Sequence, residues 1–154
     1  MYKRMLVPID GSDTASNGLA EAIRLAAALR ATLILLHVVN EQPAMLETAS
    51  AIGFDEVRRQ MLAYGDKLLG DASVQARDAG VASEAILKEL MAGRTADVIV
   101  AVASQSSCDL IVMGTHGRRG MSRLVLGSDA ELVLRESPVP VLLVRQPPAQ
   151  TLSN

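Results

Sequence analysis

Five short apolar runs recur along this chain, each separated from the next by an amphipathic stretch. Met5–Ile9, Thr32–Val38, Ala82–Leu87, Leu110–Met113 and Val139–Val144 read as strands, the third weaker and the fifth interrupted by Pro140. Thr14–Arg30 places Leu19, Ala22, Ile23, Ala26 and Leu29 on one helical face. Phe54–Ala79 carries Val57, Met61, Tyr64, Leu68 and Leu69 at helical spacing. Thr95–Ala103 and Ser128–Arg135 read as two further helices. Ser12 or Asp13 suits the cap of the first helix, and Gly80 suits the end of the second. Residues 40–53, with Pro43 among them, read as a loop or flap. The predicted order is therefore β-α-β-α-β-α-β-α-β, an α/β fold with a doubly wound parallel sheet, helices on both faces and right-handed crossovers. Thr32–Val38 is apolar on both faces, as a central parallel strand must be. Ligands bind such sheets beyond the C-terminal strand ends, where the strand order reverses. Asp10 and Gly114, just past the first and fourth runs, are the candidates for that crevice.

The chain of 154 residues suits one domain over 1–146, with 147–154 as a flexible polar tail. Apolar residues make up 49 %, mostly aliphatic, and aromatic residues 2 %, which argues against a nucleic-acid surface built on stacked rings. A net charge of −2 gives no bulk attraction to nucleic acid or anionic lipid. No apolar stretch approaches the ~20 residues of a membrane span, and Met5–Ile9 is too short for a signal-peptide core. The single cysteine, Cys108, reads as a small buried residue before a strand, and it fits a cytoplasmic location.

The chemistry concentrates after the fourth run. Met113-Gly114-Thr115-His116-Gly117-Arg118-Arg119-Gly120 leaves the strand, and Gly127-Ser128 opens the last helix. Strand exit, paired glycines and a helix N-terminus together form a backbone cradle for phosphate. Arg118, Arg119 and Arg123 suit a polyphosphate, or are solvated loop arginines; both readings stand. Ser128 either reaches a phosphate or caps the helix in a Ser128-Asp129-Ala130-Glu131 capping box. Asp129 repels a phosphate unless it points away or shares a divalent cation. Asp10 is either an acceptor for ribose or base, a neighbour of a metal, or a turn residue.

No G-x-x-x-x-G-K-[ST] and no G-x-G-x-x-G occurs; the glycines at 114, 117 and 120 run G-x-x-G-x-x-G. His37 and His116 lack ligand-spaced partners, so no zinc site is expected. His116 is within reach of a phosphate, and His37 reads as a strand residue near the pocket rim. No acid–base pair or nucleophilic triad stands out, so no catalytic residues are assigned.

Gly114-x2-Gly117-x9-Gly127-Ser128, with Val7-Pro8-Ile9-Asp10-Gly11-Ser12 at the start and Pro138-Val139-Pro140-Val141-Leu142-Leu143-Val144 at the end, resembles the universal stress protein family. The similarity covers residues 3–145. The resemblance implies a Rossmann-like, five-stranded parallel sheet of order 3-2-1-4-5 and a homodimer paired through its fifth strands. It also implies ATP as bound ligand. Many relatives carry an uncharged or hydroxyl residue where Asp129 and Ala130 stand, and a divalent ion such as Mg would reconcile Asp129 with a triphosphate. On this resemblance Pro8, Ile9 and Asp10 line the adenosine end, with Val38 or Val39 against adenine. Met113, Gly114, His116, Gly117 and Arg118 wrap the phosphates, and Gly127, Ser128, Asp129 and Ala130 stand at the helix start. The expected function is that of a dimeric, nucleotide-dependent sensor or regulator in stress adaptation. A slow ATPase and a dimeric interaction module that binds no nucleotide are the alternatives.

Overall fold

The computed structural model describes residues 1–47, 51–115 and 126–146. Its strands are β1 (Arg4–Pro8), β2 (Thr32–Asn40), β3 (Ser83–Leu90), β4 (Leu110–Gly114) and β5 (Val141–Val144). Its helices are α1 (Asp13–Leu29), α2 (Gln42–Glu47), α3 (Ala51–Asp78), α4 (Thr95–Gln105) and α5 (Ser128–Glu136). All strand pairs are parallel, in the order β3-β2-β1-β4-β5. The chain thus winds outward from β1 to β3 on one side, then returns to place β4 and β5 on the other. The reversal falls between β1 and β4.

Strand periodicity sorts the core into two layers. Met5 and Val7, Leu33 and Leu35, and Leu110 and Val112 point to one face, where they meet Leu19, Ala22 and Ala26 of α1 and Leu69, Ala72 and Ala76 of α3. Leu6, Ile34, Leu36, Ile111 and Met113 point to the other, against Ile99, Val102 and Ala103 of α4 and Val133 of α5. Alanine at the helix contacts lets the helices sit close to the sheet.

Local chemistry explains the element ends. The Ser12 hydroxyl accepts from the Ala15 amide at 3.1 Å and caps α1. Gly80, at φ +72°, follows α3 and turns the chain where an L side chain is strained. Pro140 stands just outside β5, where it offers a carbonyl to Ile111 N at 3.0 Å without needing an amide of its own. The fifth strand therefore starts at Val141, two residues later than the apolar run predicts.

Two further differences concern β3 and the segment after β2. β3 continues to Leu90, paired along its length with β2 from Leu33↔Ser83 to Asn40↔Leu90. Its charged Glu84, Lys88 and Glu89 weaken the apolar signal, and such residues are common on an edge strand. The expected loop at 40–53 instead contains α2. Pro43 lies in its first turn, where a missing amide costs nothing, and the Asn40 side chain accepts from Gln42 N at 3.1 Å. Among the described residues no helix is long and apolar enough to cross a membrane.

Leu35 is fully buried between β1 and β3. Leu35→Ala is expected to cost about 2–5 kcal/mol and to lower Tm by roughly 5–15 °C in urea and thermal melts. A loss well below that range would mean that this layer is not the core.

Candidate functional site

The C-terminal ends of β1, β2 and β4 open into a crevice of about 640 Å³. Pro8, Ile9 and Asp10 enter it from β1 and the turn beyond, Val38 and Val39 from β2, and Met113 and Gly114 from β4. Gly127, Ser128, Asp129 and Ala130 enter it from the start of α5. These are eleven of the fourteen residues singled out from the sequence, brought to one place at the reversal of strand order. His116, Gly117 and Arg118 lie outside the described residues, as do Arg119 and Arg123.

The floor is organised by Asp10. Its Oδ1 accepts from the Ser12 amide at 2.9 Å and from the Ser12 hydroxyl at 2.5 Å. This ties the β1–α1 turn to the cap of α1, so Asp10 is both a turn residue and a wall of the crevice. Gly11 makes the turn at φ +82°, and a Cβ there would run into the Tyr64 hydroxyl.

The opposite wall was not anticipated. Val57, Met61 and Tyr64 of α3 line the crevice, as do Pro43 and Ala44 of α2. Helical spacing makes the α3 residues look like core, and only the topology shows that the first half of α3 faces the strand ends. His37, buried, also lines the space. Its Nδ1 stands 2.6 Å from the Ile9 carbonyl, which can only accept, so Nδ1 donates. Its ring meets Tyr64 edge-on at 6.4 Å and 83°.

A second polar clasp holds this wall. Glu41 is 1 % exposed, and its Oε1 accepts from Arg58 Nε at 3.1 Å. Arg58 also reaches Glu89 on β3 at 2.5 Å. The carboxylates of Glu89 and Glu41 hold the Arg58 guanidinium above its ordinary range. Arg58 adjoins Val57, so the clasp ties the first half of α3 to β3 and to the residue that follows β2.

At the α5 end the local structure differs from the predicted capping box. Gly127, at φ −60° and ψ 150°, is the cap residue, and it brings no side-chain hydrogen bond to the helix start. Ser128 is already the first helical residue. Glu131, instead of reaching back, pairs with Arg135 at 3.0 Å one turn ahead. Gly127 is anchored by its amide, which donates to the Thr115 carbonyl at 2.7 Å. Burial, and then the negative charge of Asp10, push the Asp129 carboxyl above the usual carboxylate range. No lysine or arginine lines the crevice among the described residues, and among them no group of three His, Cys, Asp or Glu is placed to hold a metal. Cys108 lies elsewhere, buried two residues before β4, and burial pushes its thiol to about 11, so it stays protonated at neutral pH.

The glycine that ends β4 has a packing role of its own. A Cβ on Gly114 would stand 2.5 Å from the Thr14 carbonyl oxygen and 2.9 Å from Thr14 Cβ, at the start of α1. Gly114 thus lets α1 close on the end of β4, whatever ligand the crevice takes.

Fold and site together define a doubly wound parallel domain with a ligand-sized crevice at its switch point. The sequence model of the universal stress protein family matches residues 1–145, and the chain belongs to that family. It is similar to universal stress protein YxiE of Bacillus subtilis, at 36 % identity over 153 residues covering 94 % of this chain and 100 % of the relative. The solved structure of protein MJ0577 of Methanocaldococcus jannaschii is similar at TM-score 0.84 and 28 % identity, covering 97 % of this chain and 99 % of that one. A universal stress protein crystallised in complex with cAMP is similar at TM-score 0.66 and 26 % identity, covering 94 % of this chain and 97 % of that one.

Gly114→Ala is expected to destabilise the ligand-free protein by about 1–3 kcal/mol in urea melts. A variant as stable as the parent would show that α1 does not press on Gly114.

Proposed function

We propose that this protein binds an adenine nucleotide, ATP among them, in the crevice and acts as a nucleotide-dependent regulator in stress adaptation. The observation that carries the reading is the division of the crevice. Its β1 and β2 side is apolar, with Pro8, Ile9, Val38 and Val39, and suits a flat purine beside the Asp10 carboxylate. Its α5 side offers the uncapped first-turn amides of a helix N-terminus, which suits phosphate. The similar protein crystallised with cAMP supports an adenine ligand for a domain of this shape. In this reading His116, Gly117 and Arg118 complete the phosphate side, and Mg accompanies ATP.

A homodimer through β5 belongs to the same proposal. β5 pairs with β4 on one side, and Leu142 is 36 % exposed. A second β5 would cover that edge. Sedimentation equilibrium is expected to show a dimer that Leu142→Asp weakens; a parent monomer at high micromolar concentration would overturn the pairing.

The nucleotide reading is tested by denaturing freshly purified protein and identifying the released small molecules by mass spectrometry, then titrating stripped protein with Mg-ATP, AMP and cAMP. An adenine compound in the extract, or a melting-point rise on titration, is expected. Val38→Trp, which fills the purine side, is expected to abolish the rise while the ligand-free fold is retained. No release, no heat and no melting shift with any adenine ligand would leave the interaction-module alternative.

A further inference from the structure

The crevice contains an acid that its proposed ligand does not need. Asp129 stands in the first turn of α5, beside the amides that suit a phosphate, and it lines the same space as Asp10. The other acids nearby are already engaged. Asp10 accepts from Ser12, and Glu131 is paired with Arg135. No cation pairs with Asp129 among the described residues. Asp129 sits in the first turn, at the positive end of the α5 dipole, on the side of the crevice that suits a phosphate. Although the residue as a whole is exposed, partial desolvation of its carboxyl and then the charge of Asp10 disfavour its ionised form, so Asp129 and Asp10 share one negative environment in the crevice.

We propose that Asp129 is the charge-selecting residue of this crevice. It disfavours adenine ligands that bring an uncompensated polyphosphate, and it admits the nucleoside, the monophosphate or the magnesium complex of ATP. The inference rests on the adenine-nucleotide reading above and deepens it. Two carboxylates with no third His, Cys, Asp or Glu beside them among the described residues make a poor cation site of their own. The divalent ion that offsets Asp129 would therefore arrive with the phosphates. Selection by repulsion works as a difference of affinities. The nucleoside end is bound alike in every case, and only the phosphate end is discriminated.

The test is calorimetric titration of the stripped parent, Asp129→Asn and Asp129→Glu with adenosine, AMP and ATP, each in EDTA and in excess magnesium. In EDTA, Asp129→Asn is expected to strengthen ATP binding about tenfold relative to the parent, the effect of removing one neighbouring like charge. The gain should be smaller for AMP and absent for adenosine. Magnesium should strengthen ATP binding by the parent and narrow its gap to Asp129→Asn. Asp129→Glu, which keeps the charge, should keep the parent's preference. An ATP-to-adenosine affinity ratio in EDTA that is the same in the parent and in Asp129→Asn overturns the inference while leaving the nucleotide reading intact. Absence of binding by every adenine ligand overturns both.

Discussion

Helix α1 meets the end of β4 backbone to backbone. A Cβ on Gly18 would stand 3.1 Å from the Gly114 amide, and one on Gly114 would stand 2.5 Å from the Thr14 carbonyl oxygen. This contact brings the first turn of α1 directly against the C-terminal end of the neighbouring strand. It fixes the distance between the β1–α1 turn and the segment leaving β4, and those two segments flank the reversal of strand order. The Asp10–Ser12 bonds then hold the turn to the cap of α1. The crevice thus depends on the absence of side chains at positions 18 and 114. Those glycines serve the α1–β4 contact first and any phosphate second.

The same contact bears on how glycine-rich loops are read. A strand ending in glycine, followed by another glycine and a helix start, invites a phosphate interpretation for every glycine in it. Here Gly114 answers to Thr14, and Gly127 is the extended cap residue that begins α5. The spacing of these residues carries information about packing and about ligand together, because a domain that brings a helix N-terminus to a strand end needs close backbone approaches to do so.

The strands and helices were legible because short runs apolar on both faces, along β1, β2 and β4, differ sharply from the 3.6-residue pattern of α1; the order of the strands came only from the family resemblance, and the place of the candidate crevice from the rule that such sheets open at their strand ends. What escaped was whatever depends on contacts distant in sequence. α2 was hidden by Pro43, whose effect depends on its place in the first turn. Val57, Met61 and Tyr64 share a helical face with Leu68 and Leu69, yet the former line the crevice while Leu69 packs in the core. Nothing within α3 marks that change. Ser128-x-x-Glu131 fits a capping box, but the helix begins one residue earlier than that pattern requires, and Glu131 finds Arg135. β3 was underread because an edge strand spends its outward positions on Glu84, Lys88 and Glu89.

The polar groups of the crevice are unevenly committed, and this shapes what it can recognise. His37 spends Nδ1 on the Ile9 carbonyl, and Asp10 spends Oδ1 on Ser12. Both bonds organise the protein, and both leave the β1 and β2 side of the crevice with an apolar surface and few free donors. Specificity there must come from shape, from Oδ2 of Asp10 and from backbone groups at the strand ends. At the α5 side the balance is reversed, because the helix start presents amides without a side-chain cap. On the proposed reading, binding on the first side would follow apolar area, and on the second it would follow the charge placed beside Asp129. On the adenine-nucleotide reading proposed above, a crevice divided this way would separate recognition of the base from recognition of the phosphate state.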